Sequence, residues 1–268
     1  YSCNSTKIKF KENDAEISKN YLETTKNNKD IIYTDQTFNP NIKTVLCHHS
    51  NNQLSLAIIN LNSHNKLQIS FDDLNENRKD YFYTIIHCNA NWTKSDLMQN
   101  EYIEGFNEEK IINYEFSFNT IQKYTHYQFE FPSINMKPLL SGNYIFKIYD
   151  NNGNDIIYKR FMIIDTQLQI DAKIRRATLV RDRKYKHEID FIIKHPNLII
   201  PDPFKDIKVQ IKQNNMDYNS VTDLTPKFIK NGELVYDYEY ENTFWGNNEF
   251  RHFDFKSLRY KSEKIKTI

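Results

Sequence analysis

Short apolar or alternating runs recur along the chain from about Ile42 onward. Their spacing of roughly 10 to 15 residues is typical of the strands of an antiparallel sandwich or barrel. Before Asp165 these runs are IKTVLC, LSLAIINL, KLQISF, DYFYTIIHC, INYEFSF, YTHYQFEF, NYIFKIYD and DIIYKRFMIID. A second series follows, with LQIDAKI, KYKHEIDFIIK, DIKVQIKQN, ELVYDYEY and EFRHFDF.

Residues 139–164 give the clearest local prediction, a β-hairpin. Two runs of β-branched and aromatic residues flank Asp150-Asn151-Asn152-Gly153, whose residues tolerate the left-handed backbone of a tight turn. Just upstream, Leu139, Gly142 and Tyr144 have the L-x-x-G-x-Y spacing that resembles a tyrosine corner of an immunoglobulin-like sandwich. We therefore predict an all-β fold with tandem immunoglobulin/fibronectin-III-like antiparallel β-sandwich domains.

The two series of strands divide the chain into domains. Residues 1–30 contain a charged stretch with few apolar side chains, which favours a flexible lead-in. We predict a first β-sandwich domain over residues 31–165 and a second over residues 166–268. Because LRYKSEKIKTI ends without an evident closing hairpin, the second domain is expected to be incomplete in this chain.

The stretch SFNTIQKYTHYQFEFP, residues 117–132, is dense in rings and raises the question of a ligand site. Alternation along a strand places Tyr127, Phe129 and Phe131 on one face, which we predict to be core. Tyr124 and His126 fall on the opposite face, which becomes polar further along and is typical of a half-solvated sheet. Contact with a partner at Tyr124 and His126 is therefore left open.

Composition narrows the classes of partner. Lys and Arg total 36 against 35 Asp and Glu, a formal charge of +1 that gives no net attraction to nucleic acid. We therefore expect no nucleic-acid partner. The mean hydropathy is −0.75, but 18 Tyr and 18 Phe indicate a chain that buries a core. No stretch approaches the roughly 20 apolar residues of a transmembrane helix, so we predict no transmembrane segment.

Candidate chemistry is sparse. Five glycines and the absence of phosphate-loop, nucleophile-elbow and zinc-protease motifs argue against nucleotide and hydrolytic enzymes. His48 and His49 point to opposite faces of a strand and therefore do not converge on one metal ion. Asp72 and Asp73 are separated in the same way, and we interpret them as a strand-ending turn. We predict no catalytic residue, no metal site and no cofactor.

The three cysteines leave alternatives open. Cys3 follows a small residue and is either the lipidated first residue of a bacterial lipoprotein or an ordinary residue near an arbitrary boundary. Cys47 and Cys88 lie in separate predicted strands. They allow one disulfide in an oxidising compartment, although two buried free thiols are the favoured interpretation.

Several blocks of the sequence resemble the type IX secretion system plug proteins of Bacteroidota. In the first predicted domain they are the SFNT, YTHY, FP and SGNY segments between Ser117 and Tyr144, FDDL at 71–74, YTIIHCNANW at 83–92 and YIEGF at 102–106. In the second they are LVYDY at 234–238, NNEFR at 247–251, FD at 253–254 and LRY at 258–260. The blocks occur in the family's order and extend over about residues 42–260.

The resemblance implies a noncatalytic periplasmic protein at the inner face of the outer membrane. Such a plug closes the very large outer-membrane β-barrel translocon of the type IX system from the periplasmic side when no cargo is in transit. Anchors for this partner would be aromatic or Arg side chains near strand ends. The candidates, each of which has a core or fold-maintaining role as its alternative, are Trp92, Tyr102, Phe106, Tyr124, His126, Trp245, Asn247 and Arg251.

Two other functions compete with the plug. Exposed Trp and Tyr side chains would also suit a cell-envelope carbohydrate- or peptide-binding β-sandwich module. A hydrolase whose site assembles across strands would require His87, Asp72 or His126 to approach one another within hydrogen-bond reach.

Overall fold

A computed structural model of the chain describes residues 32–75 and 77–246. The chain divides into two compact units between Asp165 and Thr166. The lead-in over residues 1–30, Cys3, the predicted strand EFRHFDF and the candidate anchors Asn247 and Arg251 lie outside the described residues.

Within the described residues, the first unit is built almost entirely from strands, with one short helix between the fifth and sixth strands. The strands are β1 (Gln36–Thr37), β2 (Ile42–His49), β3 (Ile58–Asn60), β4 (Leu67–Asp73), β5 (Tyr81–Cys88), β6 (Ile103–Gly105), β7 (Glu109–Lys110), β8 (Asn113–Phe116), β9 (Thr125–Phe131), β10 (Met136–Pro138), β11 (Gly142–Asp150) and β12 (Asp155–Ile164). Helix α1 spans Gln99–Tyr102.

These strands form two main sheets. The larger has the order β1-β12-β11-β5-β7, with β3 parallel to β12, and the smaller has the order β2-β4-β9-β8. Strands β6 and β10 form a separate two-stranded ribbon. Apart from β3, all of these pairings are antiparallel, which confirms the all-β class predicted from the spacing.

Aromatic rings fill the space between the two sheets. Phe71 stacks on Tyr127 with ring centroids 5.2 Å apart, and Tyr81 meets both rings edge-on. Phe146 stacks on Phe161 at 4.0 Å. Offset and edge-to-face contacts of this kind add to the area that each ring buries. The high content of Phe and Tyr therefore serves the core first.

Strand β9 follows the predicted alternation. Tyr127, Phe129 and Phe131 are buried together with Thr125, whereas His126 and Gln128 are half-buried on the opposite face and Glu130 is exposed. The apparent cluster of rings in SFNTIQKYTHYQFEFP is thereby divided between two faces, as the sequence indicated.

The predicted hairpin is formed by β11 and β12. Asp150 Oδ1 accepts hydrogen bonds from the backbone N–H groups of Asn152 and Asn154, both at 2.9 Å, and Gly153 takes a φ of +79° in the turn. The hydroxyl of Tyr144 donates to the Leu140 carbonyl at 2.8 Å. This is the back-bond of a tyrosine corner, so both expectations for residues 139–164 are confirmed.

The second unit has one main sheet and a small hairpin. Its strands are β13 (Gln169–Arg176), β14 (Lys186–Lys194), β15 (Gln210–Ile211), β16 (Val221–Thr222), β17 (Phe228–Lys230), β18 (Glu233–Tyr236) and β19 (Thr243–Trp245). The main sheet has the order β13-β14-β18-β17, and β19 also pairs with β14. Strands β15 and β16 form the hairpin, and helix α2 spans Pro203–Asp206.

A small core lies on one face of the main sheet of the second unit. It contains Phe191, Ile193, Leu224, Leu234 and Tyr236. Phe191 stacks on Tyr236 with centroids 4.5 Å apart. Among residues 32–75 and 77–246, no helix combines the length and the hydropathy that a membrane span requires.

Candidate functional site

The sequence blocks of the first unit meet around the ring of His87. Its Nδ1 lies 2.9 Å from the Ser95 hydroxyl, and the ring contacts Tyr144 edge-on at 5.0 Å and Tyr102 at 5.7 Å. Gly142 lies against the same ring. We call His87, Ser95, Tyr102, Gly142 and Tyr144 the histidine cluster.

Gly142 is required by the position of His87. A Cβ at residue 142 would lie 2.5 Å from His87 Nε2, and the φ of +149° is one that L side chains rarely adopt. Burial lowers the pKa of His87, although the nearby Ser141 carbonyl acts in the opposite direction. The ring is therefore neutral at physiological pH and serves as a packing element.

The contact between Ser95 and His87 resembles a nucleophile and its base, but it lacks the remaining features of such a site. Ser95 is buried, and the second ring nitrogen of His87 faces the Ser141 carbonyl at 3.5 Å. A catalytic nucleophile must lie where substrate can reach it, and Ser95 does not. The histidine cluster is thus a structural centre.

Trp92 lies in the turn that follows β5. Its N–H donates to the Asn89 carbonyl at 2.9 Å, its φ is +65°, and the Arg160 guanidinium stands 4.4 Å from the ring centroid. The Asn143 amide donates to the carbonyls of Asn89 and Ala90. The turn is therefore held in place from two strands, and the indole is left half-buried beneath a cation.

Tyr102 and Phe106 differ in exposure although they are close in sequence. Tyr102 is buried within the histidine cluster, so the structure places this candidate anchor in the core. Phe106 is exposed, and it lines a recess of about 250 Å³ together with Ile134 at the end of the β6–β10 ribbon. Glycine is required at position 105, because a Cβ there would lie 2.0 Å from the Asn135 carbonyl oxygen of the neighbouring chain segment.

His126 belongs to a row of side-chain pairs on the outer face of the smaller sheet. Its Nδ1 lies 2.7 Å from Asp72 Oδ1. Further along the same face, the Gln68 amide donates a hydrogen bond to Gln128, and Lys66, just before β4, forms an ion pair with Glu130. Asp72 lies within β4 and not in the turn that we predicted for it.

The pairing of Asp72 with His126 meets the distance condition set for a hydrolase. It nevertheless lies on an open sheet face, among pairs that join two neighbouring strands. Cross-strand pairs of this kind stabilise a sheet.

Tyr124, at the start of the same face, is half-buried, and its backbone N–H donates to the Ser117 hydroxyl at 3.0 Å.

Asp73 faces the opposite way and is buried beside the aromatic core. It accepts hydrogen bonds from Tyr81 at 2.8 Å and from Asn75, and it pairs with Lys79 at 2.9 Å. Burial alone would raise the pKa of this carboxyl, but these donors together hold the pKa below its usual value. Asp73 is thus a charged group of the fold.

The second unit contains three carboxylates close enough to hold a metal ion, on Glu188, Asp190 and Asp237. Arg175 already occupies the space among them, at 2.8 Å from Glu188, 2.7 Å from Asp190 and 3.3 Å from Asp237. Burial of Glu188 would raise its pKa, but the Thr178 N–H and Arg175 together lower it. The cluster is an ion-pair network that the sequence analysis did not find, because its members are distant in sequence.

Trp245 is the exposed candidate of the second unit. Lys186 stands 5.0 Å from the centroid of its indole ring, and the Gln213 amide donates to the Trp245 carbonyl at 2.8 Å. More than half of the side chain remains accessible. Trp245 is therefore available to a partner in a way that Tyr102 is not.

Two further surfaces were missed by the sequence analysis. An open groove of about 810 Å³ lies beside Met98, Lys147 and Tyr149. Residues 116–124, which we call the hairpin tip, join β8 to β9 and expose Phe116, Phe118 and Ile121. The available signal for the tip was the apolar side chains of FSFNTI, which extend past the predicted strand INYEFSF into the segment before YTHYQFEF, where polar residues are usual.

The cysteines within the described residues are free thiols. Burial raises the pKa of Cys47 to about 12 and that of Cys88 to about 11. Because the thiolate is the reactive form, neither residue is activated as a nucleophile. Of the two buried free thiols that we favoured, Cys88 is buried and Cys47 is half-buried.

Comparisons with known proteins connect this geometry to a family. Residues 42–165 match the model of the "Type 9 secretion system plug protein 1st domain". A search of the curated proteins finds no match. A crystal structure of a hypothetical protein from Parabacteroides merdae is similar, with a TM-score of 0.80 and 28% identity. The similarity covers 87% of this chain and 59% of that protein, so the chain spans less than two thirds of that relative. Residues 42–165 are thereby assigned to the first domain of the type 9 secretion system plug protein family.

Proposed function

We propose that this protein is a noncatalytic periplasmic plug. In this proposal it binds the periplasmic side of the outer-membrane translocon barrel of the type IX secretion system and seals the pore when no cargo is in transit. It acts as a peripheral protein at the inner face of the outer membrane. The observation that carries the proposal is the match of residues 42–165 to the first domain of the plug family.

The organisation of the first unit supports a binding role. The residues of the sequence blocks are used to pack His87 and to fix the turn at Trp92. Because a lid over a pore must resist deformation without performing chemistry, a rigid sandwich with ordered loops suits this role. A specific, reversible seal would bury on the order of 1,600 Å² of surface in total.

Exposure separates the predicted anchors within the described residues into three classes. Phe106 and Trp245 are accessible, Trp92 and Tyr124 are half-buried, and Tyr102 is in the core. We propose Phe106 and Trp245 as partner contacts, since aromatic side chains that become buried on binding carry much of the affinity of an interface. The side chain of His126 is paired with Asp72, and this pair stabilises the outer face of the smaller sheet.

The test combines capture with a channel measurement. The tagged full-length protein should co-purify with the translocon barrel from detergent-solubilised outer membranes. A deletion strain should admit a small periplasm-excluded dye through the idle channel, and restoring the gene should stop the leak. An idle channel that remains sealed in the deletion strain would remove the proposal.

A binding module for carbohydrate or peptide is the second candidate, and the open groove beside Met98 and Tyr149 is the observation that favours it. Calorimetry with envelope glycans and peptides would identify such binding. Loss of the signal in Met98→Ala or Trp245→Ala, at unchanged unfolding temperature, would favour this function over the plug.

A further inference from the structure

The hairpin tip concentrates exposed apolar side chains in a short segment. Phe118 is 92% exposed, Ile121 is fully exposed, and Phe116 is more than half exposed. The nine residues of the tip carry one charged side chain, that of Lys123, in a protein in which 26% of residues are charged. Grouped apolar side chains on a surface mark interaction sites more often than single ones do.

The tip is held in a defined conformation. The Ser117 N–H donates to the Tyr124 carbonyl at 2.9 Å and the Tyr124 N–H returns to the Ser117 hydroxyl, which extends the β8–β9 ladder. The Thr120 hydroxyl donates to the Gln122 carbonyl at 2.9 Å, and the Gln122 amide reaches the Leu74 carbonyl. The rings are therefore presented by an ordered loop.

An ordered loop with exposed rings is prepared for binding. The conformational entropy that a flexible loop would lose on docking has already been lost on folding, so burial of the rings contributes more fully to affinity. Phe116 supports the base by packing edge-on against Tyr114, with ring centroids 5.5 Å apart. Phe118 and Ile121 lie beyond that base in the chain, in the loop between β8 and β9, and both are exposed.

We propose that the hairpin tip inserts Phe118 and Ile121 into an apolar recess of the translocon protein at the periplasmic mouth of its pore. The inference rests on the proposed plug function and adds to it the surface that faces the channel. Neighbouring exposed apolar side chains are complementary to an apolar recess, in which a few buried side chains supply most of the affinity.

The charge around the tip favours a protein recess over a lipid surface. Anionic membranes are recognised by clusters of about four to eight Lys and Arg residues. The tip itself carries one cation, Lys123. The cations at its base are matched by carboxylates: Lys43 lies in register with Asp72, Lys79 pairs with Asp73 at 2.9 Å and Arg78 pairs with Asp80 at 3.5 Å. This distribution provides no cationic patch for lipid headgroups.

The experiment compares capture of matched variants of the full chain by the purified translocon barrel. Phe118→Ser with Ile121→Ser should reduce capture by at least about tenfold, as expected when interface anchors are truncated. Leu54→Ser removes an equally exposed side chain from the loop after β2, at the opposite end of the sandwich, and should leave capture unchanged. Phe118→Leu should restore most of the binding.

The remaining outcomes decide against the inference. Equal capture of the wild type and the tip variant would refute the role proposed for the hairpin tip while leaving the plug function intact. Failure to capture the wild type would refute both. Flotation of the wild type with phosphatidylethanolamine and phosphatidylglycerol vesicles, lost in the tip variant, would assign the tip to lipid. Self-association lost in the variant would assign it to a second copy. Thermal unfolding at the wild-type midpoint shows that the variant is folded.

Discussion

The ring of His87 occupies the space that a side chain at position 142 would need. The same ring packs on Tyr144 and accepts or donates a hydrogen bond at Ser95. One residue thus links β5, the turn after it and the tyrosine corner. These contacts explain in physical terms why the IHC and SGNY segments carry the resemblance to the family.

Gly142→Ala should therefore destabilise the first unit. Overpacking against His87 and the strained φ together are expected to lower the free energy of unfolding by about 1–3 kcal/mol. Gly153→Ala is a suitable control, because φ is also positive there but a Cβ would meet nothing within 4 Å. Urea unfolding measures both, and equal losses would contradict the role assigned to His87.

Asp73 is expected to make stability depend on pH in the acid range. Its pKa is lowered on folding, so its contribution is fully present above the unfolded value of about 3.9 and is lost as the pH falls through the folded value. Asp73→Asn should cost about 1.5–3 kcal/mol at neutral pH, because Tyr81 and Lys79 lose a charged acceptor. Urea titrations from neutral pH to about pH 3 should show a flatter acid limb in the variant. Identical acid limbs in the two proteins would exclude Asp73 as the cause.

Strands β13 and β14 are joined by Arg175 as well as by their backbone ladder. The guanidinium bridges Glu188, which is fully buried, and Asp190, which is partly exposed. The positive charge of the guanidinium also explains how three carboxylates can lie close together without a metal ion. The second unit thereby substitutes an ion-pair network for part of the large aromatic core that the first unit has.

Arg175→Ala should weaken the second unit selectively. Glu188 would keep the Thr178 hydrogen bonds but lose its countercharge, at an expected cost of about 1–3 kcal/mol after allowing for the exposure of Arg175. Arg176→Ala changes the next residue of β13, which lies on the opposite face, and should cost less than about 0.5 kcal/mol. Chemical denaturation would measure both, and similar losses would argue against the network.

Local sequence patterns predicted the strands and turns better than they predicted the side-chain contacts between them. Alternation correctly assigned Tyr127 and Phe131 to the core, and DNNG correctly placed the β11–β12 turn. The pairing of Asp72 with His126 depends on the register of two strands 54 residues apart, which neither strand encodes alone. The burial of Tyr102 likewise depends on the contact of α1 with β5, where the Tyr102 hydroxyl donates to the Ile85 carbonyl. The sequence alone therefore left both an anchor and a core role open for it.

The two units have separate hydrophobic cores. The cluster of the first unit lies within Ile42–Ile163 and that of the second within Leu168–Tyr238. Because each core is formed from its own segment, each unit can bury its apolar side chains without residues from the other.

Residues 32–165 are therefore expected to fold alone. The fragment should show a cooperative thermal transition and a near-ultraviolet circular dichroism signal from its packed rings. Phe146→Ala provides a control, since removing a buried ring that stacks on Phe161 should cost about 3–5 kcal/mol and lower the midpoint sharply. A broad transition without a near-ultraviolet signal would show that the second unit is needed.

The positions of the two tryptophans have a practical consequence. The sequence contains two Trp residues, and each unit has one of them, Trp92 half-buried under Arg160 and Trp245 more than half exposed. Fluorescence emission from Trp92 should lie at shorter wavelength than emission from Trp245, because solvent relaxation shifts an exposed indole to the red. Trp92→Phe and Trp245→Phe would each leave a single emitter. The protein thus carries a built-in optical reporter for each unit, able to register which unit a binding partner contacts.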